Sequence, residues 1–534
     1  MIKKIFRFAS FAMALALAAA VSAQDIDKTI RVNIGGEPPS IDPSLMTDLG
    51  GNNMLQGLME GLVRLDGDSK MHPAAAESWE HNADYTVWTF KLRKNGKWHN
   101  GDPVTAHDFV YSLQRTLTPE TAADYAEIMF RLVKGGAEFY KAGGMTKGAT
   151  LPGVRAIDDY TVEYTLNYPA PFFGTFVSWG TWFPENKKVV EASPSQWTLS
   201  PKTFVGNGPF KMVDYLSKDR METVKADTYW DKDSIFWDKV VFRFIDDDNT
   251  EDAAFRTREL DVTETMAVPQ VNYWKGKPEM RSYPSAGTIY VQFNVNRKPF
   301  DNKLVRRAFS KALQRSIITD KLLRRGETPS KGFIPPGIPG AGDDGDFRSK
   351  AGDLIGAFDA AAAKKLLVDA GVGGVTGAEY LYNTREENKM IAEQLQQMWR
   401  RSLGVDVRIQ NADWDVVMTR TRQNDFVSAR GSWFGDYLDS LTYLELFQST
   451  NPKNGPRFKS EKYDALVESG RYEKDPVKRQ QFFIEAEKLL VEDEAVIAPL
   501  YTNAFAYLVQ ADIEGLSSNT IGQKLYVRAR RVKK

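Results

Sequence analysis

None of the 534 residues is a cysteine, so no disulfide closes a loop in this chain and its fold must be held by buried apolar surface alone. That demand is met at this length. Apolar side chains make up 42% of the sequence, enough for a large core divided among two to four domains. The missing thiols bear on the first residues, which read as an export signal. Lys3, Lys4 and Arg7 precede an apolar run from Phe8 to Val21, and Val21-Ser22-Ala23 offers small residues for cleavage. We expect cleavage between Ala23 and Gln24 and a periplasmic destination. The run is too short for a comfortable membrane span, and no cysteine is present to take a lipid, so no membrane anchor is expected. Seventy basic residues balance seventy acidic ones, leaving no electrostatic footprint for nucleic acid.

Hydrophobic periodicity divides the chain into strands and helices. Thr29 to Ile34 reads as a strand with Ile30, Val32 and Ile34 on one face, broken by Gly35-Gly36-Glu37-Pro38-Pro39. A helix is expected around 53–62, with Leu55, Leu58 and Leu62 at helical spacing. Trp88, Phe90 and Leu92 alternate as a strand, followed by turns at Asn95-Gly96 and Asn100-Gly101. Thr105 with Asp108 forms a capping-box pattern before an apolar helix face. A second such pattern, Thr384 with Glu387, precedes the stripe Ile391, Leu395, Met398 and Trp399, which ends at Gly404. Val405, Val407 and Ile409 then alternate, and a strand–helix–strand succession of this kind implies a parallel α/β sheet. Asp475-Pro476 opens a further helix, with Phe482, Ala486, Leu489 and Leu490 on its apolar face.

One stretch carries candidate chemistry: Arg430-Gly431-Ser432-Trp433-Phe434-Gly435-Asp436-Tyr437, led in by the short apolar pair Phe426-Val427. A carboxylate among Trp433, Phe434 and Tyr437 is costly to bury unless a positive group meets it. Asp436 is either a cap for the helix that follows, around 441–447, or an acceptor for a ligand's ammonium between aromatic walls. On this segment alone the capping reading is the stronger. Enzymatic readings find less support. There is no phosphate loop of the GxxxxGK[ST] type. The spacing of His72, His81, His99 and His107 fits no usual metal-ligand pattern, so solvated surface is expected there and no metal or cofactor. Asp436 with Asp439 reads better as anchor and cap than as a pair of hydrolytic carboxylates.

The stretch AAESWEHNADYTVWTFKLRKNGKWHNGDPVTAHDFV, residues 75–110, resembles the signature of the family 5 solute-binding proteins of ABC importers. Four further stretches resemble motifs of that family in the same order. They are Phe204 to Phe210, Arg258-Glu259-Leu260-Asp261, Phe300 to Phe309, and AAKKLLVDAG at 362–371, although Arg258 stands where a glycine is usual. The resemblance implies an α/β fold of the type II periplasmic-binding kind, with two hinged lobes and an extra inserted α/β domain. The boundaries expected from it are a signal to 23, lobe I over 24–59, 199–286 and 504–534, the inserted domain over 60–198, and the second lobe over 287–503. The implied function is capture of a small peptide for delivery to the permease subunits of an importer, by a monomer and without catalysis. Other cargoes carried in the family (dipeptides, murein peptides, oligosaccharides, nickel complexes, haem) stay open, and a secreted hydrolase is the reading from another class.

Within the family, Arg430 to Tyr437 is similar to the segment whose aspartate holds a peptide's α-ammonium while its backbone pairs with the peptide as an added strand. The resemblance therefore moves Asp436 to the anchoring role. Arg430, Trp433 and Tyr437 match that segment, whereas Ser432 and Phe434 replace a glycine and a cysteine; the backbone of 431–435, Gly435 included, is the part expected to pair with the peptide. It also places Tyr125 and Trp414 among ligand-lining aromatics. Asn388, Glu264, Thr265, Gln292 beside Tyr290, and Thr47 with nearby Leu49 fall at further ligand-site positions. Gln292 and Thr47 stand where acids are usual, which counts against a preference for lysine-rich peptides, while Glu264 adds an acid near the anchor that either compensates for them or marks a different ligand.

Overall fold

The computed structural model describes residues 26–341, 345–372 and 374–533; the export signal expected over the first 23 residues lies outside them. Three sheets carry the architecture. The first strand, β1 (Thr29–Asn33), buries Ile30 and Val32 completely. It is followed by helix α1 (Leu49–Leu58), which starts earlier than its leucine spacing suggests because Asp48 caps it by accepting from the amide of Gly51. Then come β2 (Ala76–His81) and β3 (Val87–Leu92), the latter burying Trp88, Phe90 and Leu92. Helix α2 (Ala106–Thr116) opens with the expected capping box, Thr105 and Asp108 satisfying each other's end of the helix. With β4 (Val154–Asp158) and β5 (Thr161–Thr165), β2 and β3 form an antiparallel sheet in the order β2-β3-β5-β4.

The chain then returns to the first sheet. Strands β6 (Phe210–Leu216), β7 (Arg220–Lys225) and β8 (Lys239–Arg243) complete the order β1-β8-β7-β6, with β1 parallel to β8. His99 latches this return to the preceding unit: its Nε2 donates to the carbonyl of Gly208 at 2.9 Å and its Nδ1 accepts from the amide of Gly206 at 3.2 Å. Burial lowers its pKa to about 4, so it is neutral. The expectation of a solvated His99 is thus corrected. His72 pairs with Asp66, and among the described residues no group of histidines and carboxylates is placed to hold a metal.

The third sheet holds six strands: β9 (Met280–Phe293), β10 (Thr328–Pro329), β11 (Glu379–Asn383), β12 (Arg408–Ala412), β13 (Ser428–Phe434) and β14 (Ile497–Leu508), in the order β10-β14-β9-β13-β11-β12. It is mixed rather than parallel: β11 runs parallel to β12 and β13, whereas β9 is antiparallel to both β13 and β14. The helix between β11 and β12 is α3 (Glu386–Leu403), ended by Gly404 at φ +75°. Its N-cap is Arg385, not Thr384, whose Oγ1 instead accepts from Asn411. Val405 and Val407 are buried, yet pairing starts only at Arg408. Helix α4 (Trp414–Arg422) follows β12, α5 (Leu441–Leu444) follows β13, and α6 (Pro476–Lys488) is capped by Asp475 as its sequence demands, burying Phe483 rather than Phe482. The two long strands β9 and β14 run through positions 286/287 and 503/504, paired with each other over most of their length.

Candidate functional site

Strand β13 and the loop after it build the site. On one side β13 is paired with β9 over its whole length, from Ser428 opposite Phe293 to Phe434 opposite Gly287. On the other side β11 reaches only Ser428 and Ala429. Among the described residues no strand pairs with the outer edge of Arg430 to Phe434, so a row of backbone groups there is open to an incoming extended chain. Gly431 permits this geometry: a side chain there would collide with the ring of Tyr290, which is buried edge-on to Phe333 and Phe447. Gln292, on the same strand as Tyr290, donates to the carbonyl of Arg430 at 3.4 Å.

The loop that ends the strand is held from below. Gly435 donates to the carbonyl of Ala286 at 2.9 Å, and the Tyr443 hydroxyl reaches the same oxygen at 2.6 Å. Tyr437 stacks on Phe172 with centroids 4.1 Å apart and donates to Glu445 at 2.8 Å, while Glu445 is ion-paired with Arg471. Asp439 takes two hydrogen bonds from Arg479, both at 2.8 Å, and accepts from the amide of Leu441 at the start of α5. The carboxylate that meets the start of α5 is therefore Asp439, next to the N-cap Ser440, and not Asp436. Asp436 is free to face a cavity of about 330 Å³.

That cavity has two walls. Thr47, Asp124, Tyr125 and Phe172 lie on one, and Trp433, Asp436, Thr442 and Lys453 on the other. The Tyr125 hydroxyl donates to Asp436 Oδ1 at 3.2 Å, across 311 residues of sequence. Burial raises the Asp436 pKa to about 6; Lys453 and the Tyr125 hydrogen bond oppose that rise, and Glu445 adds to it. The carboxylate is thus poised: surrounded by protein, short of a full counter-charge, and open to the cavity. A ligand ammonium placed there would supply that charge and be screened from water by Trp433, Tyr437 and Phe172.

The structure brings Asp436, Trp433, Tyr437, Tyr125 and Thr47 to one cavity, with Arg430, Ser432 and Phe434 on the strand that leads to it and Gly435 just past its end. It does not bring the remaining positions there. Trp414 sits on the first turn of α4, 50% exposed, because that helix buries Val417 and Thr421 instead. Asn388 is occupied in donating to Asn383. Glu264 is ion-paired with the buried Lys524, so it is no free acid beside the anchor, and Thr265 accepts from the hydroxyl of Thr263. Leu49 opens α1 and packs next to Gly522. Sequence reasoning missed Lys453 and Thr442. Lys453 lies in the turn-rich Asn451 to Gly455 stretch, which carries no periodic signal, and its ammonium lies 5.6 Å from the Trp433 ring.

Two long paired strands run between the α/β units, and the open edge of β13 leads to the Asp436 carboxylate, the arrangement of an α/β binding protein. The chain belongs to the bacterial extracellular solute-binding proteins, family 5: the description "Bacterial extracellular solute-binding proteins, family 5 Middle" matches residues 70–455. It is 35% identical over 503 residues to the dipeptide-binding protein DppE of Bacillus subtilis, covering 93% of this chain and 90% of that one. It is 31% identical over 544 residues to the periplasmic oligopeptide-binding protein OppA of Salmonella typhimurium, covering 98% of each. The solved structure of Haemophilus influenzae OppA in complex with RPPGFSPFR matches with a TM-score of 0.77 at 29% identity, covering 95% of this chain and all of that one. These matches carry the type II periplasmic-binding fold expected from the sequence.

Proposed function

We propose that this protein is an exported, periplasmic and monomeric receptor that captures small peptides between two lobes and presents them to the permease subunits of an ABC importer, with no bond made or broken. One observation carries the reading: the open edge of Arg430 to Phe434 runs into the carboxylate of Asp436. An extended peptide added along that edge satisfies its backbone whatever its side chains, and its α-ammonium arrives where the partly compensated carboxylate lies. Dipeptide- and oligopeptide-binding names among the relatives support the same cargo. In this reading β9 and β14 are the hinge, the unit over 60–198 is the inserted domain, and Tyr125, reaching Asp436 from that unit, closes the wall over the ligand's first residue.

The test is calorimetric titration of the ligand-stripped protein with mixed tri- to pentapeptides beside their N-acetylated forms. Acetylation and Asp436→Ala should each weaken binding by at least about 2 kcal/mol, roughly 30-fold, the cost of leaving one member of a buried charge pair alone. Equal affinity for free and acetylated peptides would remove Asp436 as the anchor. No heat from any peptide would remove the peptide reading.

A further inference from the structure

A second cavity, of about 260 Å³, lies apart from the peptide site, between the Val63–Leu65 strand and the segments 515–517 and 524–528. Met59, Pro209 and Val527 give it apolar wall, and Arg64 and Ser517 line the same space. Arg64 is unusual among the described residues. Five other arginines have a buried Nε without an acceptor, and each has another nitrogen paired; Arg64 has no hydrogen bond or ion pair on any nitrogen. A guanidinium offers five donors and stays charged, so leaving one half-buried and unpaired is costly.

The acids around it do not meet that need, because each is already engaged. Glu60 accepts from the Tyr229 hydroxyl at 2.6 Å and from Trp230 Nε1 at 2.8 Å. Asp66 is taken by His72, which stands directly across from Arg64 in the hairpin, and by the amides of Asp68 and Lys70. Asp231 is bound by Arg528, whose own positive charge faces Arg64. Lys524, on the far side, is neutralised by Glu264. The hydrogen bonds of these acids are therefore spent on other donors, and the Arg64 guanidinium is left without an acceptor beside an apolar wall.

We propose that this cavity binds a small organic carboxylate, its carboxylate on the Arg64 guanidinium and its apolar body against Met59, Pro209 and Val527. A planar carboxylate matches the fork of an arginine with two parallel hydrogen bonds, and a neutral analogue of the same shape does not. This site is independent of the peptide anchor, being built from different segments of the chain.

Benzoate is the probe, with benzamide as its neutral counterpart, titrated calorimetrically into the full-length mature protein. Benzoate should bind at least tenfold more tightly than benzamide. Arg64→Gln should lower benzoate affinity at least tenfold while leaving peptide affinity unchanged, and Arg64→Lys, which keeps the charge, should retain part of it. Arg430→Gln, on the peptide strand, should leave benzoate binding intact. Without benzoate, Arg64→Gln should melt no lower than the parent protein, since it removes an unpaired charge. Absence of benzoate binding at millimolar concentration, equal binding by Arg64→Gln, or loss of benzoate binding in Arg430→Gln overturns the proposal. So does an Arg64→Gln protein that melts lower or fails to fold, because Arg64 would then be serving the structure.

Discussion

At the scale of single residues, Asp436 behaves as its surroundings dictate. In the ligand-free protein burial holds its pKa at about 6, above the ordinary 3.8, and a peptide ammonium pairs only with the ionised form. Peptide affinity should therefore be level above about pH 7 and fall as pH drops through about 6, approaching a tenfold loss per pH unit once the acid is protonated. Stability of the ligand-free protein should move the other way. A raised folded-state pKa contributes stability that is complete below the unfolded value and is lost as pH rises through about 6. The melting temperature of the parent relative to Asp436→Asn should thus fall as pH rises from 4 to 7. Calorimetric titration and thermal melts across pH 4 to 8 check both directions; pH-independent affinity would detach Asp436 from the ligand. The identity of this residue was legible in the sequence as a carboxylate among aromatics. Its partner Lys453 was not, because it comes from a turn-rich stretch with no pattern that points toward it, and Tyr125 was reached only through the family resemblance.

At the scale of elements, local chemistry decided wherever no distant group competed. Thr105 and Asp108 form a capping box in sequence and in space, and Asp475-Pro476 starts its helix as read. Thr384 and Glu387 have the same spacing and form no box. The Glu387 carboxylate is drawn 2.9 Å from Arg325, and Thr384 is used by Asn411 of the neighbouring strand. An ion pair with a buried guanidinium outweighs a cap on an exposed helix end. Thr105→Ala should accordingly cost about 1 kcal/mol of stability, and Thr384→Ala less than about 0.5 kcal/mol, the range for a surface change away from such features; chemical denaturation distinguishes them. Similarly, Val405 and Val407 alternate as a strand does and are buried, but pairing begins at Arg408, where β11 becomes available as a partner.

At the scale of the whole molecule, the feature that matters is the pair β9 and β14, long antiparallel strands that serve as a common floor for distant parts of the chain. Closure of a hinged protein around a peptide joins the two walls of the cavity, so ligand binding and global stability are linked. At a peptide concentration of 100 Kd the folded state should gain about 2.7 kcal/mol, with a decrease in the radius of gyration measured by small-angle X-ray scattering. A stabilised protein of unchanged dimensions would keep the binding and remove the hinge.

Sequence by itself determined the main strands and helices, through short-range periodicity and capping, and the class of fold and the candidate segment 430–437, through motifs contiguous in the chain that resemble those of the family. Only the tertiary structure decided that β13 has an open edge past Ala429, that Tyr125 reaches Asp436 across the cavity, and that Glu264, Asn388 and Trp414 are engaged or turned elsewhere. The reason is physical: an open edge, a free carboxylate or an unpaired guanidinium is defined by which partners arrive from hundreds of residues away, and no local pattern records their arrival.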